Sequence, residues 1–492
     1  MKSRLIGCLV VFAAAALADV KLPALISDHM VVQSGVPVRI WGWAEPGEAV
    51  TVSFAGQSPK TTANAAGKWE AFLNPVKAGT AGTLAITGKN KLTVADVLAG
   101  EVWVASGQSN MEWPLNKTND ADKEIADANY PQLRFFFVKR AVSETPKDDV
   151  EAKWVVCTSA NMPQQSAVAY FFAREINQTQ KVPVGVINSY WGGTPAQSWT
   201  SMPKLRDDAA VKFYLDQWDG VVARYPEAKT KFDEAYKKWA ETKTGNAPGA
   251  PQGPGHPNTP AGLYNAMIAP LTPYTIRGAI WYQGESNASE AQAYNYRRLF
   301  GDMIEDWRQN WGIGDFPFYF VQLANFKTNG WWPLLRESQT ATLGMKNTAM
   351  AVTIDIGNPA NIHPTDKQDV GHRLALAARA QIFDEKIEFS GPMYKTMTVE
   401  NGKVRVWFDH PGTGLAARGG GQLKGFEVAG PDGKFVPADA SIDGQNVLVS
   451  SASIAEPTAV RYAWTDNPEE ANLINKENLP ASPFRNKQGR EK

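Results

Sequence analysis

Between residues 101 and 385, short apolar runs recur with longer helical stretches between them: residues 102–105, 184–187, 278–281, 318–321 and 351–354. Strand and helix alternating in this way predict a parallel sheet covered by helices on both faces. That arrangement also says where chemistry belongs. In an open parallel sheet, ligands bind beyond the carboxyl ends of the strands, so the turns that follow these runs are the places to search.

The flanks read differently. Residues 20–98 hold short β runs broken by Gly, Pro and Asn, with alternation at 36–43 and 49–54 and a turn at 64–67. This is a β-sandwich signature. After residue 385 the β character returns, as at 403–408 and 459–464. The expected organisation is an N-terminal β segment at 19–98, an α/β domain at 99–385 and a C-terminal β segment at 386–492. The two β segments form separate domains or complete one another. Inside the α/β domain, 203–260 reads as an insertion: a charge-mixed amphipathic helix over 207–243, then a Pro/Gly-rich loop over 245–260 that is a solvated surface element or a lid.

At 492 residues the chain exceeds a single small core. Fifty basic residues balance fifty acidic ones, which argues against a nucleic-acid partner. Lys2 and Arg4, the apolar run over 5–15 and Ala16-Leu17-Ala18 read as an export signal, predicting a mature chain from Asp19 that is secreted or periplasmic. No stretch is long enough to span a bilayer. Cleavage would remove Cys8 and leave only Cys157, so no internal disulfide and no cysteine zinc site is expected. The five histidines show no metal-ligand spacing, and no metal is expected.

Four polar turns stand out. Gly107-Gln108-Ser109-Asn110 follows the first run, and a Gly before the serine permits a tight turn that exposes the hydroxyl. Such a serine also serves as a plain helix cap. Gly192-Gly193-Thr194 follows the second run, and paired glycines expose N–H groups able to stabilise an oxyanion. Gln283-Gly284-Glu285-Ser286-Asn287 follows the third, offering two side-chain amides and a carboxylate. The fourth is Ile362-His363-Pro364, ahead of a helix-like run over 369–382.

Together the blocks Ser106-Gly107-Gln108-Ser109-Asn110-Met111, Gly192-Gly193-Thr194, Tyr282-Gln283-Gly284-Glu285-Ser286-Asn287 and Ile362-His363-Pro364-Thr365-Asp366-Lys367 resemble the SGNH hydrolase superfamily. They are most similar to its sialate O-acetylesterase branch, as are the segments 263–270 and 479–485. The resemblance implies a three-layer α/β/α domain with flanking β-sandwich (jelly-roll or immunoglobulin-like) material. It implies a secreted carbohydrate acetylesterase that needs no cofactor. Ser109 would be the nucleophile and His363 its base, with the oxyanion held by the N–H of Ser109, the N–H of Gly193 (or Gly192) and the side chain of Gln283.

Many SGNH enzymes place the triad acid three residues before the histidine. Here that residue is Ala360. Either a distant carboxylate orients His363, with Asp355 the candidate, or a Ser–His pair works with help from a backbone carbonyl. Trp191 belongs to a set of aromatics suited to sugar stacking, Glu285 and Asn287 are polar candidates for substrate contact, and Arg336 is a candidate fork for a sialic acid carboxylate. The substrate is an acetylated sugar or oligosaccharide: acetylated sialic acid, or an acetylated polysaccharide such as xylan or xyloglucan. Two rivals are a non-catalytic carbohydrate-binding protein and a glycosidase using Glu101 and Glu285.

Overall fold

The computed structural model describes residues 19–328 and 330–486; the expected signal at 1–18 lies outside them. At its centre, seven strands lie in the order Thr348–Ala351, Phe318–Val321, Gly278–Tyr282, Lys91–Gly107, Val184–Tyr190, Tyr130–Phe137 and Trp154–Cys157. Every neighbouring pair is parallel except the last. Such strands are apolar on both faces because helices cover both. On one face Trp103 packs edge-on against Phe172 of helix Ala167–Gln180, with ring centroids 4.9 Å apart. On the other, Trp281 meets Phe300 and Trp307 of helix Tyr296–Trp311. The three-layer α/β/α arrangement follows.

One expected strand is displaced. The run at 351–354 read as a strand, but pairing ends at Ala351. The Val352 carbonyl accepts from Arg373 Nη1 (2.6 Å), and the Thr353 hydroxyl donates to the Gln322 carbonyl (2.6 Å). Side chains have taken the place of the ladder.

The expected boundary at 98/99 falls within a single strand. Lys91–Gly107 pairs antiparallel with Ala81–Thr87 over 91–98, and parallel with Val31–Gln33 over 98–100. It then pairs with Val184–Tyr190 over 101–107. The N-terminal β segment is therefore continuous with the central sheet. The C-terminal segment forms antiparallel sheets of its own, and among the described residues none of its strands shares a sheet with the N-terminal segment. Phe484 joins two of these sheets, packing on Tyr394 and Phe408 from one and on Tyr462 from the other.

Within the insertion, helix Lys212–Thr242 buries only Tyr214 fully. The ion pairs Lys212–Asp216, Lys229–Asp233 and Lys231–Glu227 run along its exposed face. No helix among the described residues is long and apolar enough to cross a membrane.

Candidate active site

The central strand ends at Gly107, and helix Ser109–Glu112 begins two residues later. Gly107 has φ +136°, and a Cβ there would sit 2.2 Å from the Tyr282 carbonyl oxygen, so only glycine lets the neighbouring strand end approach. The Gln108 N–H donates to that carbonyl (3.0 Å), and its side-chain oxygen accepts from the Ser286 N–H (3.2 Å). Ser109 is thus fixed between two strand-end turns.

His363 Nε2 lies 2.8 Å from Ser109 Oγ. The imidazole stacks on Trp113, with centroids 5.0 Å apart and planes 15° from parallel. Its backbone N–H donates to Asn361 Oδ1 (2.9 Å). Burial, followed by the charges of Lys367 and Lys117, holds the His363 pKa below its ordinary value, which favours the neutral base. No carboxylate among the described residues is hydrogen-bonded to this ring.

Asp355 does not reach His363. Its oxygens accept from Arg373 Nη1 and Nη2 (2.7 and 2.8 Å), and it pairs with Arg418 of the C-terminal segment (2.6 Å). Despite burial, these arginines hold its pKa below the usual carboxylate value. Arg336 is also not at the site. It is fully buried, donating to the carbonyls of Leu323 (2.7 Å), Ala324 (2.8 Å), Thr465 (2.9 Å) and Asp466 (2.9 Å). Its fork clamps the C-terminal segment to the α/β domain.

Gln283 is fully buried. Its amide donates to Asn287 Oδ1 (2.7 Å) and the Thr194 carbonyl (3.3 Å), and its oxygen accepts from Tyr296 (2.8 Å). These bonds brace the loop carrying the glycine pair and leave no donor for an oxyanion. Asn287 is likewise buried, its Oδ1 accepting from the Ala196 N–H (2.9 Å). The glycine pair lies against Ser109: a Cβ on Gly192 would sit 3.2 Å from Ser109 Cβ. The Gly192 N–H donates to Glu112 Oε2 (2.8 Å). The N–H groups of Ser109 and Gly193 meet no acceptor among the described residues.

Glu285 turns inward. Its Oε1 accepts from Asn110 Nδ2 (2.6 Å), while its Oε2 is buried with no partner among the described residues. The same Asn110 nitrogen donates to the Ile362 carbonyl (2.9 Å), and Asn110 Oδ1 accepts from the fully buried Lys367 (2.6 Å). Burial pulls the Lys367 ammonium down to about 7 and pushes the Glu285 carboxyl up. Asn110, the residue after Ser109, is thereby tied to Ile362, the residue before His363. Asn110 and Lys367 lay within recognisable blocks, which was the one signal that could have assigned them. Arg140 had no such signal; it pairs with Glu112 and lies over the half-buried Trp191 ring, 5.5 Å from its centroid.

The paired-carboxylate alternative fails on distance. Glu101 and Gly107 lie on one strand, and Glu101 is bound to Arg277 at the end remote from Glu285. At about 3.3 Å per residue the two ends are roughly 20 Å apart, too far for paired catalysis. Cys157 is buried, its thiol pushed up to about 12 by desolvation, and is no nucleophile.

A family model described as carbohydrate esterase, sialic acid-specific acetylesterase, matches residues 251–380. The mouse sialate O-acetylesterase is 34% identical, with 94% of each chain covered. The human sialate O-acetylesterase is 30% identical, over 94% of this chain and 92% of its own. The chain belongs to the sialate O-acetylesterase family. It is therefore a carboxylic ester hydrolase. The crystal structure of a carbohydrate acetylesterase from Xanthomonas citri matches with a TM-score of 0.84 at 41% identity, covering 96% of this chain and all of that one. In this member of the sialate O-acetylesterase family, the four sequence blocks are the four strand-end turns just described.

Proposed function

We propose that the enzyme hydrolyses O-acetyl esters on sugars through an acetyl-Ser109 intermediate. The observation that carries this reading is the 2.8 Å contact between Ser109 Oγ and His363 Nε2. Neutral His363, protonated on Nδ1, takes the Ser109 proton on Nε2 as Oγ attacks the acetyl carbonyl carbon. The carbonyl oxygen becomes an oxyanion facing the N–H groups of Ser109 and Gly193, and helix Ser109–Glu112 starts at the nucleophile. The tetrahedral species collapses, the bond to the sugar oxygen breaks, and His363 passes its proton to that oxygen. Water, deprotonated by His363, then attacks the acetyl-serine carbonyl, the bond to Ser109 Oγ breaks, His363 returns its proton to Oγ, and acetate leaves. No carboxylate is needed in contact with the base: the Trp113 stack and the Asn110 and Asn361 hydrogen bonds hold it in place. Purified protein is expected to release acetate from p-nitrophenyl acetate and from acetylated sugars; absence of release from both contradicts the reading.

The residue pattern over 1–18 further supports export to the periplasm or medium. A mature protein beginning at Asp19 is the expected result of N-terminal sequencing, and an uncleaved start is the contrary one.

A further inference from the structure

Resting on the acetylesterase reading above, we infer that the cavity between helix Lys212–Thr242 and the catalytic turns is a subsite. Its occupant is an uncharged, hydroxyl-bearing sugar unit linked to the acetylated one. The cavity holds ≈ 280 Å³. Ligand pockets run from about 300 Å³ upward, so it suits one sugar unit rather than a length of chain. It borders the turns that flank Ser109: its wall includes Pro195, two residues beyond Gly193, and Ser286, whose N–H donates to the side chain of Gln108, the residue before Ser109 (3.2 Å).

Among the described residues no lysine, arginine, aspartate or glutamate lines it. Its polar wall is mostly amides, those of Gln197, Gln217, Gln252, Asn258 and Gln292. An amide offers donors and an acceptor in one plane, which suits hydroxyl groups that both give and take hydrogen bonds. Three of these amides are held in place. Asn287 Nδ2 donates to Gln197 Oε1 (3.0 Å) and Gln292 Oε1 (2.9 Å), and Gln292 Nε2 donates to Gln217 Oε1 (3.1 Å). Their oxygens are tied down, while the amide nitrogens of Gln197 and Gln217 donate to no group among the described residues. Half-buried Trp218 adds a flat apolar face for the sugar C–H surface.

A carboxylate entering this cavity would lose its hydration and meet no cation, which is unfavourable. Arg140 is not part of the cavity wall; it is bound to Glu112, which holds the Gly192 N–H. The neutral unit therefore comes either from a polysaccharide chain or from the uncharged sugar to which a sialic acid is attached.

The test compares kcat/KM of the full chain on matched pairs. One pair is acetylated xylose and an acetylated xylo-oligosaccharide; the other is free acetylated sialic acid and the same residue linked to lactose. The subsite predicts a gain of tenfold or more on adding the neutral unit in at least one pair, and the pair that shows it names the source. Trp218→Ala and, separately, Gln217→Ala should reduce that gain toward one, mainly through KM. Gln217 is exposed on the helix, so its loss leaves the fold intact. No gain in either pair, or a gain that both substitutions leave unchanged, overturns the subsite. Wild-type protein that releases no acetate even from p-nitrophenyl acetate overturns the esterase reading instead, so the two failures are distinguishable.

Discussion

The turn that carries Asp355 and the turn that carries His363 leave the same strand end, and they are built in opposite ways. Around Asp355 the charges pair off: Arg373 and, from the C-terminal segment, Arg418 meet the buried Asp355 carboxylate, and Arg373 also pairs with Asp369. Around His363 there is a neutral hydroxyl, an indole face and amides, with two lysines nearby. The first turn fastens one part of the chain to another. The second keeps an imidazole neutral and aimed. A carboxylate close to the histidine in sequence is thus consumed by structure, while the amides of Asn110 and Asn361 hold the backbone at 362 and 363 and Trp113 stacks on the ring.

Substitutions on the two sides should separate cleanly. The largest effect is expected from His363→Ala, a fall in kcat on p-nitrophenyl acetate of about 10⁴-fold or more, since loss of one member of such a unit removes nearly all of its catalysis. Next comes Asn110→Ala, which frees the Ile362 carbonyl and strands Lys367. Misplacing the base by about an ångström costs about 10²-fold, so kcat should fall by about 10- to 100-fold. Asp355→Asn should leave kcat within about threefold while lowering stability by about 3–5 kcal/mol in denaturant titration, because Arg418 loses its charge partner and buried Arg373 keeps only the more exposed Asp369. A fall of about 10⁴-fold with stability intact would make Asp355 the triad acid after all.

The smallest effect is on the pH profile. Catalysis needs neutral His363, and its pKa is lowered, so the acid limb of kcat/KM should lie below the ordinary imidazole value of about 6.5. Lys117→Met removes one of the charges that disfavour imidazolium. The His363 pKa should then rise, and activity should be lost at a higher pH than in the wild type. An unmoved or downward-moving limb would show that another group controls it.

The same contrast explains what could be read in advance. The buried strands and the four turns are local patterns, each a short block beside an apolar run, whereas the pairing of Ser109 with His363, far apart in the chain, was implied only by the resemblance of the ordered blocks to a known family. The fates of Asp355 and Arg336 depend on partners far along the chain, Arg418, Thr465 and Asp466, in a segment whose sequence shows only β character. Gln283 and Glu285 were legible as polar residues at a strand end, but not their direction. That is set by Tyr296, Thr194 and Asn110, which turn both side chains inward. The boundary placed at 98/99 followed a change of composition, whereas the backbone continues as one strand through Gly107.

The central claim is that Ser109 carries the acetyl group. Rapid acid quenching during turnover of p-nitrophenyl acetate, followed by peptide mass analysis, tests it directly. The expected result is an acetyl mass on the peptide containing Ser109, formed in the burst phase and absent in Ser109→Ala. Turnover with that peptide unmodified, or with the acetyl group on another side chain, would contradict it.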